Sequence, residues 1–156
     1  MIKVLFICHG NICRSPMAEF VLKDKVNKLG LADQFYIASC ATSTEEIWNG
    51  VGNPVYPPAK EELARHGIDC AGKRAVQLCK ADYEEYDYLL CMDSMNVRNA
   101  MRILKRDPEE KLMRLLEFSD DVRDISDPWY TRDFGKAYRD IEEGCDGLLA
   151  HLGYGQ

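Results

Sequence analysis

Residues 2–8 (Ile-Lys-Val-Leu-Phe-Ile-Cys) are apolar almost without interruption, β-branched and aromatic. Such a run predicts a strand buried on both faces. A glycine-containing turn follows, then Ser15-Pro16, an N-cap candidate with proline at the first helical position. The apolar period then turns helical, with Ala18, Val21, Leu22, Val26 and Leu29 on one face and Gly30 as the stop. Residues 34–41 predict a second strand, so the chain opens as strand–helix–strand, the crossover unit of a parallel sheet. Residues 42–57 are rich in Ser, Thr, Gly, Asn and Pro and predict a long surface loop around the isolated Trp48. A short helix is expected at 58–67 and a third strand at 86–92. Ser94 would cap the next helix, with Val97, Ala100, Met101 and Leu104 inward. Residues 112–118 predict a fourth strand and 120–130 a loop. The last amphipathic helix spans 133–152, through Phe134, Tyr138, Ile141, Cys145, Leu148 and Leu152. The pattern is one α/β domain over residues 1–156 with a four-stranded parallel sheet.

Composition narrows what such a domain can do. The 26 Asp+Glu against 20 Lys+Arg leave a formal charge of −6, so nucleic acid and anionic membrane feel no long-range attraction. Any anion must be held by a strong local site. No run approaches the ~18 apolar residues of a membrane span, and the opening run is too short for a secretion signal. Cysteines at 8, 13, 40, 70, 79, 91 and 145 lack framework spacing, which points to a reduced, cytoplasmic protein. Without a Cys-x-x-Cys pair or a His-rich cluster, no metal or other cofactor is expected.

Ligands of such sheets bind beyond the carboxyl ends of the strands. The segment there is Cys8-His9-Gly10-Asn11-Ile12-Cys13-Arg14-Ser15, leading from a buried strand into a helix. A loop in that setting can turn several backbone N–H groups onto one anion, reinforced by the helix dipole. Gly10 would supply the positive φ and close backbone approach, and Arg14 a bidentate fork for phosphoryl oxygens. The same field favours thiolate over thiol at Cys8, making it a nucleophile toward phosphorus.

The stretch Val4-Leu5-Phe6-Ile7-Cys8-His9-Gly10-Asn11-Ile12-Cys13-Arg14-Ser15-Pro16-Met17-Ala18-Glu19 resembles the signature of the low-molecular-weight protein tyrosine phosphatases. Asp127-Pro128-Trp129-Tyr130, residues 86–93 and residues 63–68 are similar to further segments of that family, in the same order. The resemblance implies a sheet of strand order 2-1-3-4 with helices on both faces and a phosphate-binding loop after strand 1. It also implies metal-independent hydrolysis of phosphotyrosine in proteins and of aryl phosphates, through a cysteinyl-phosphate. Cys8 would attack, Asp127 would serve as general acid and then base, and Arg14 with the loop amides would hold the phosphoryl oxygens. Asn11 would brace the loop, Ser15 would bond the Cys8 sulfur, and His66 and Asp93 would support Ser15 and the loop. Trp48, Trp129 and Tyr130 would line the substrate cleft, and His9 its mouth. Cys13 in the same loop implies redox sensitivity, through a disulfide with an oxidised Cys8.

Competing chemistries have their own signals. Arsenate reductases share the loop but relay oxidation through a closely spaced cysteine pair, whereas Cys79 and Cys91 lie twelve apart and Cys91 sits in an apolar strand. Arginine phosphatases of this fold typically carry threonine where this chain has Ile12, which argues for phosphotyrosine. A silent phosphate-binding module would need a lost nucleophile or acid. Cys8, Arg14 and Asp127 are all present.

Overall fold

The structure, a computed structural model, describes residues 1–154. In chain order its elements begin with β1 (Ile2–Cys8), α1 (Arg14–Lys28), β2 (Phe35–Ala41), β3 (Ile47–Trp48), β4 (Val51–Gly52) and α2 (Pro57–Arg65). They continue with α3 (Asp82–Glu85), β5 (Tyr88–Cys91), α4 (Ser94–Leu104), β6 (Leu112–Arg114), α5 (Pro128–Thr131) and α6 (Phe134–His151). The main sheet runs β2-β1-β5-β6 with every pair parallel. These are the four expected strands in the expected order, and the β3–β4 hairpin only changes their numbers. Val4 pairs with Ile37 on one side and Tyr88 on the other, and Ile7 with Cys40 and Cys91.

Alternation along β1 divides its side chains between two cores. Val4, Phe6 and Cys8 enter one with Leu22 of α1, Leu63 of α2 and Ile141 of α6. Leu5 and Ile7 enter the other with Tyr83 of α3 and with Ala100 and Leu104 of α4. Helices therefore cover both faces. Each fully buried Val, Leu, Ile or Phe among them stabilises the fold by roughly 1.5–3 kcal/mol. Cys8 thus sits at the end of a strand that is fixed on both edges and both faces.

Several expectations are corrected. The loop at 42–57 holds a hairpin, closed by Asn49 and Gly50 at φ 51° and 76°, the positive-φ pair that a two-residue turn demands. The expected strand at 112–118 stops at Arg114, where the Glu117 carboxylate accepts the Arg114 N–H and folds 115–118 into a single 3-10 turn. That turn is pressed against α6: a Cβ at Gly147 would lie 2.2 Å from the Phe118 carbonyl oxygen. The loop at 120–130 ends in α5. Helix α4 is capped by Asp93 rather than Ser94, through Asp93 Oδ1 and the Asn96 N–H at 2.8 Å. Met101 stands exposed, one step off the inward Val97–Ala100–Leu104 row, and Leu29 is exposed at the α1 C-cap.

Candidate active site

The β1–α1 loop is closed from within. Asn11 is 1% exposed and holds φ 59°, so the left-handed residue is Asn11 and not Gly10. Gly10 serves close approach instead, since a Cβ there would meet Glu46 Cγ at 3.3 Å. Four contacts offset the strain at Asn11. Its Oδ1 accepts the Val76 N–H at 3.1 Å, and its Nδ2 donates to Ser15 Oγ at 2.8 Å and to Ser39 Oγ at 2.9 Å. Its own N–H reaches Cys8 Sγ at 3.3 Å. Ser15 Oγ lies 2.9 Å from the same sulfur. From outside, the N–H groups of Thr42, Ser43 and Tyr56 bond the carbonyls of Cys8, His9 and Ile12.

Arg14 opens α1 with its side chain only 3% exposed. Its Nη1 donates to Asp93 Oδ2 at 2.8 Å and to the Ile125 carbonyl at 2.7 Å, and its Nη2 lies 3.5 Å from Asp127 Oδ2. Burial opposes the Arg14 charge, but Cys8, Asp93 and Asp127 together raise its pKa. Asp93 therefore caps α4 with one oxygen and holds the guanidinium with the other. Asp127 caps α5 in the same divided way, its Oδ1 accepting the Trp129 N–H at 3.0 Å. Burial, with Cys8 and Asp127 close by, pushes the Cys13 thiol up to about 12.

A cleft of about 130 Å³ brings these groups together, with Cys8, Ile12, Cys13 and Arg14 below and Asp127 and Trp129 above. Its size and donors suit one tetrahedral anion carrying a flat organic group. At the rim Trp129 packs on Tyr56 at 4.8 Å between ring centroids, and Arg132 bonds the Tyr56 hydroxyl at 2.9 Å. Tyr130 reaches solvent beside them. His9 Nε2 stands 2.5 Å from Glu45 Oε2 at the mouth. Among the described residues no three His, Cys, Asp or Glu side chains gather as a metal-holding group, and no helix is long and apolar enough to cross a membrane.

Two expected site residues lie elsewhere. His66 closes α2, where its ring stacks on Tyr138 at 3.7 Å and its Nε2 meets Glu62 Oε2 at 3.1 Å. The side chain that reaches Ser15 from behind is Asn11, and behind Asn11 stands Ser39. Trp48 does not line the cleft: alternation in β3 packs Ile47 against the core and leaves the indole 79% exposed. Sequence reasoning missed Ser39, Glu19 and Lys73, which are joined behind the loop. It also missed Tyr56 and Arg132 at the rim. A buried-face glutamate in α1 and a serine in an apolar strand were readable signals for the first two.

Residues 3–155 match the family model described as low molecular weight phosphotyrosine protein phosphatase. The low molecular weight protein-tyrosine-phosphatase YfkJ of Bacillus subtilis is 36% identical over 97% of this chain and 96% of its own. The crystal structure of YfkJ superposes with a TM-score of 0.90 over 98% of this chain and 95% of its own. The low molecular weight phosphotyrosine protein phosphatase of Schizosaccharomyces pombe is 39% identical over 97% of each chain. The drosophila arginine phosphatase DARP is similar at 30% identity and a TM-score of 0.85, over 97% of this chain and 98% of its own.

Proposed function

For a chain that belongs to the low molecular weight phosphotyrosine protein phosphatase family, we propose a two-step hydrolysis of phosphotyrosine in proteins, carried by Cys8, Arg14 and Asp127. The Cys8 thiolate attacks phosphorus and forms an S–P bond as the P–O bond to the aryl group breaks. Asp127 gives its proton to the departing phenolate, so tyrosine leaves neutral. Water then attacks the cysteinyl-phosphate, Asp127 takes its proton, the S–P bond breaks, and inorganic phosphate and the thiolate are restored. Arg14 and the loop amides bind the equatorial oxygens, whose charge is spread in the transition state. They supply the charge that another design would take from a metal.

The observation that carries this reading is the meeting of Cys8, Arg14 and Asp127 in one cleft, with Arg14 Nη2 3.5 Å from the Asp127 carboxylate. The exposed aromatic ring of Trp129 supports a flat aryl group at the lip. Cys8 and Cys13 both line the cleft, which supports them as a redox pair, and cysteines without framework spacing support a reduced, cytoplasmic setting. Likeness to an arginine phosphatase favours phosphoarginine as the second reading, and Ile12 at the cleft wall is the residue at issue. Parallel rates on phosphotyrosine, phosphoserine and phosphoarginine peptides and on arsenate decide between them. Phosphotyrosine is expected to turn over fastest, with Cys8→Ser inactive; a faster phosphoarginine rate would replace the substrate, and an active Cys8→Ser the mechanism.

A further inference from the structure

Behind the loop a buried hydrogen-bond path leads away from the nucleophile and ends on charge. Glu19 is 4% exposed on α1, yet no part of the chemistry above uses it. Its Oε1 accepts the Ser39 hydroxyl at 2.6 Å and lies 3.8 Å from Lys73 Nζ, and its Oε2 accepts Lys23 Nζ at 2.5 Å. Lys73, with a side chain 12% exposed, also donates to the Ser39 carbonyl at 2.9 Å. Ser39 is 1% exposed and leads to Asn11, Ser15 and Cys8 in turn. A carboxylate this enclosed, held by two ammonium groups, is tied into a network whose members must all be satisfied.

The polarity of the path follows from which groups can donate. A carboxylate only accepts, so Ser39 spends its proton on Glu19 and presents lone pairs to Asn11. Asn11 Oδ1 is already taken by the Val76 N–H, so Nδ2 points its two protons at Ser39 and Ser15. Ser15 Oγ therefore accepts from Asn11, and its own proton has two acceptors in reach, the Cys8 sulfur at 2.9 Å and the Cys40 carbonyl at the longer 3.4 Å. Were Ser39 to donate toward Asn11, the amide would be drawn to turn over. Its oxygen would then take the Ser15 proton away from sulfur.

We propose that Glu19, clamped by Lys73 and Lys23, is a positioning residue that fixes the direction of this path and so keeps a hydroxyl proton aimed at the Cys8 thiolate. The inference rests on Cys8 being the nucleophile. The groups that face Cys8 are Ser15, Asn11, Arg14 and Cys13 from the loop and α1, Asp127 from the rim, Cys40 from β2 and Cys91 from β5, with Lys73 behind. Those facing Glu19 are Ser39, Lys23 and Lys73, with Cys70 nearby. Burial pulls Lys73 below the usual lysine range against the pull of Glu19, and it pushes the Cys13, Cys40 and Cys91 thiols upward. Neutral-pH alkylation inside the cleft thus reports on Cys8.

The test is the pH dependence of iodoacetate labelling at Cys8, located by peptide mass spectrometry, beside the acid limb of kcat/KM. Glu19→Gln should move both midpoints upward by about one pH unit, the size of a lost hydrogen bond to a charged group. Inorganic phosphate, which the amides and Arg14 hold, should inhibit it within about threefold of wild type. Lys73→Met should shift the midpoints in the same direction and Lys73→Arg should restore them, a pair that decides the matter if Glu19→Gln fails to fold. Unshifted midpoints in folded Glu19→Gln, or in folded Lys73→Met, overturn the inference. An active Cys8→Ser control would instead overturn the reading beneath it, so the two failures are distinct.

Discussion

The floor and the rim of the cleft are built on different terms. On the floor, Arg14 is 3% exposed and its guanidinium is fixed by three groups from distant parts of the chain. On the rim, Asp127 is 28% exposed, and the segment that leads to it is tied to α6 by Arg123, which bonds the buried Asp140 and the exposed Glu143. Buried charge must be fully paired, whereas exposed pairs are weak and screened by salt. On the proposed mechanism the floor would hold the phosphoryl group whatever carries it, and the more exposed rim would tell one leaving group from another.

The comparison breaks most sharply at the sulfur. Cys8→Ser should abolish turnover while phosphate or vanadate still binds, because the amides and Arg14 remain; titration of binding beside activity checks it. Arg14→Lys should be almost as severe, since a point charge cannot replace the fork that reaches Asp93 and Ile125 with Nη1 and Asp127 with Nη2. At the rim, Asp127→Asn should cost roughly 10²–10⁴-fold on phosphotyrosine peptides. The loss on nitrophenyl phosphate should be smaller, because that leaving group needs the proton less. Equal losses on both substrates would take the acid role from Asp127.

Oxidation tests whether the floor protects itself. Peroxide should inactivate the wild type reversibly, with dithiothreitol restoring activity, as a Cys8 sulfenic acid condenses with Cys13. Cys13→Ser should lose activity at a similar rate and recover far less. Equal recovery, with no Cys8–Cys13 peptide by mass spectrometry, would reduce Cys13 to packing. A smaller effect separates the two tryptophans: Trp129→Ala should raise KM several-fold, while Trp48→Ala, outside the cleft, should leave kinetics unchanged.

The smallest effect lies beneath the rim. The Arg123 hydrogen bond, with help from Ser119, holds Glu143 down from 4.5 to about 2. A depressed folded-state value means stability present above the unfolded pKa and lost as the pH falls through the folded one. The contribution of this pair should thus fade between pH 4.5 and about 2. Glu143→Gln should remove it, within ~1 kcal/mol at neutral pH because the Glu143 carboxylate is 42% exposed. Urea titrations should then show wild type and variant converging across that window on the acid side.

Legibility in the sequence follows the same division. The apolar run of β1 and the glycine-marked stops are local signals, and they place the four strands and the phosphate-binding loop. The Ser15-Pro16 start is corrected: α1 begins at Arg14, with Cys13 at the N-cap position and no side-chain cap, because the Ser15 hydroxyl is turned to Cys8 and Asn11. Asn49-Gly50 was equally local, and the hairpin it closes was readable from that dipeptide alone. What periodicity cannot show is partnership across the chain. It puts His66 near a helix end but not against Tyr138, and it has no means of joining Lys73 to Ser39. Asp93 and Asp127 were legible as acids, while their second use as helix caps depends on where the following turn begins.

The order in which the site comes into being follows from where Arg14 finds its partners. Cys8 and Arg14 are synthesised before their partners, since Asp93 and Ile125 lie 79 and 111 residues beyond Arg14. At ~5–20 residues per second of synthesis, Arg14 waits several seconds before the groups that orient its guanidinium exist. A nascent chain halted before residue 125 would hold the proposed nucleophile without the anchored Arg14 fork or the proposed acid. On the proposed mechanism activity needs the segment around Asp127 as well as the Cys8 loop, so a chain that stops short of that segment is expected to be unable to strip phosphate from anything it meets.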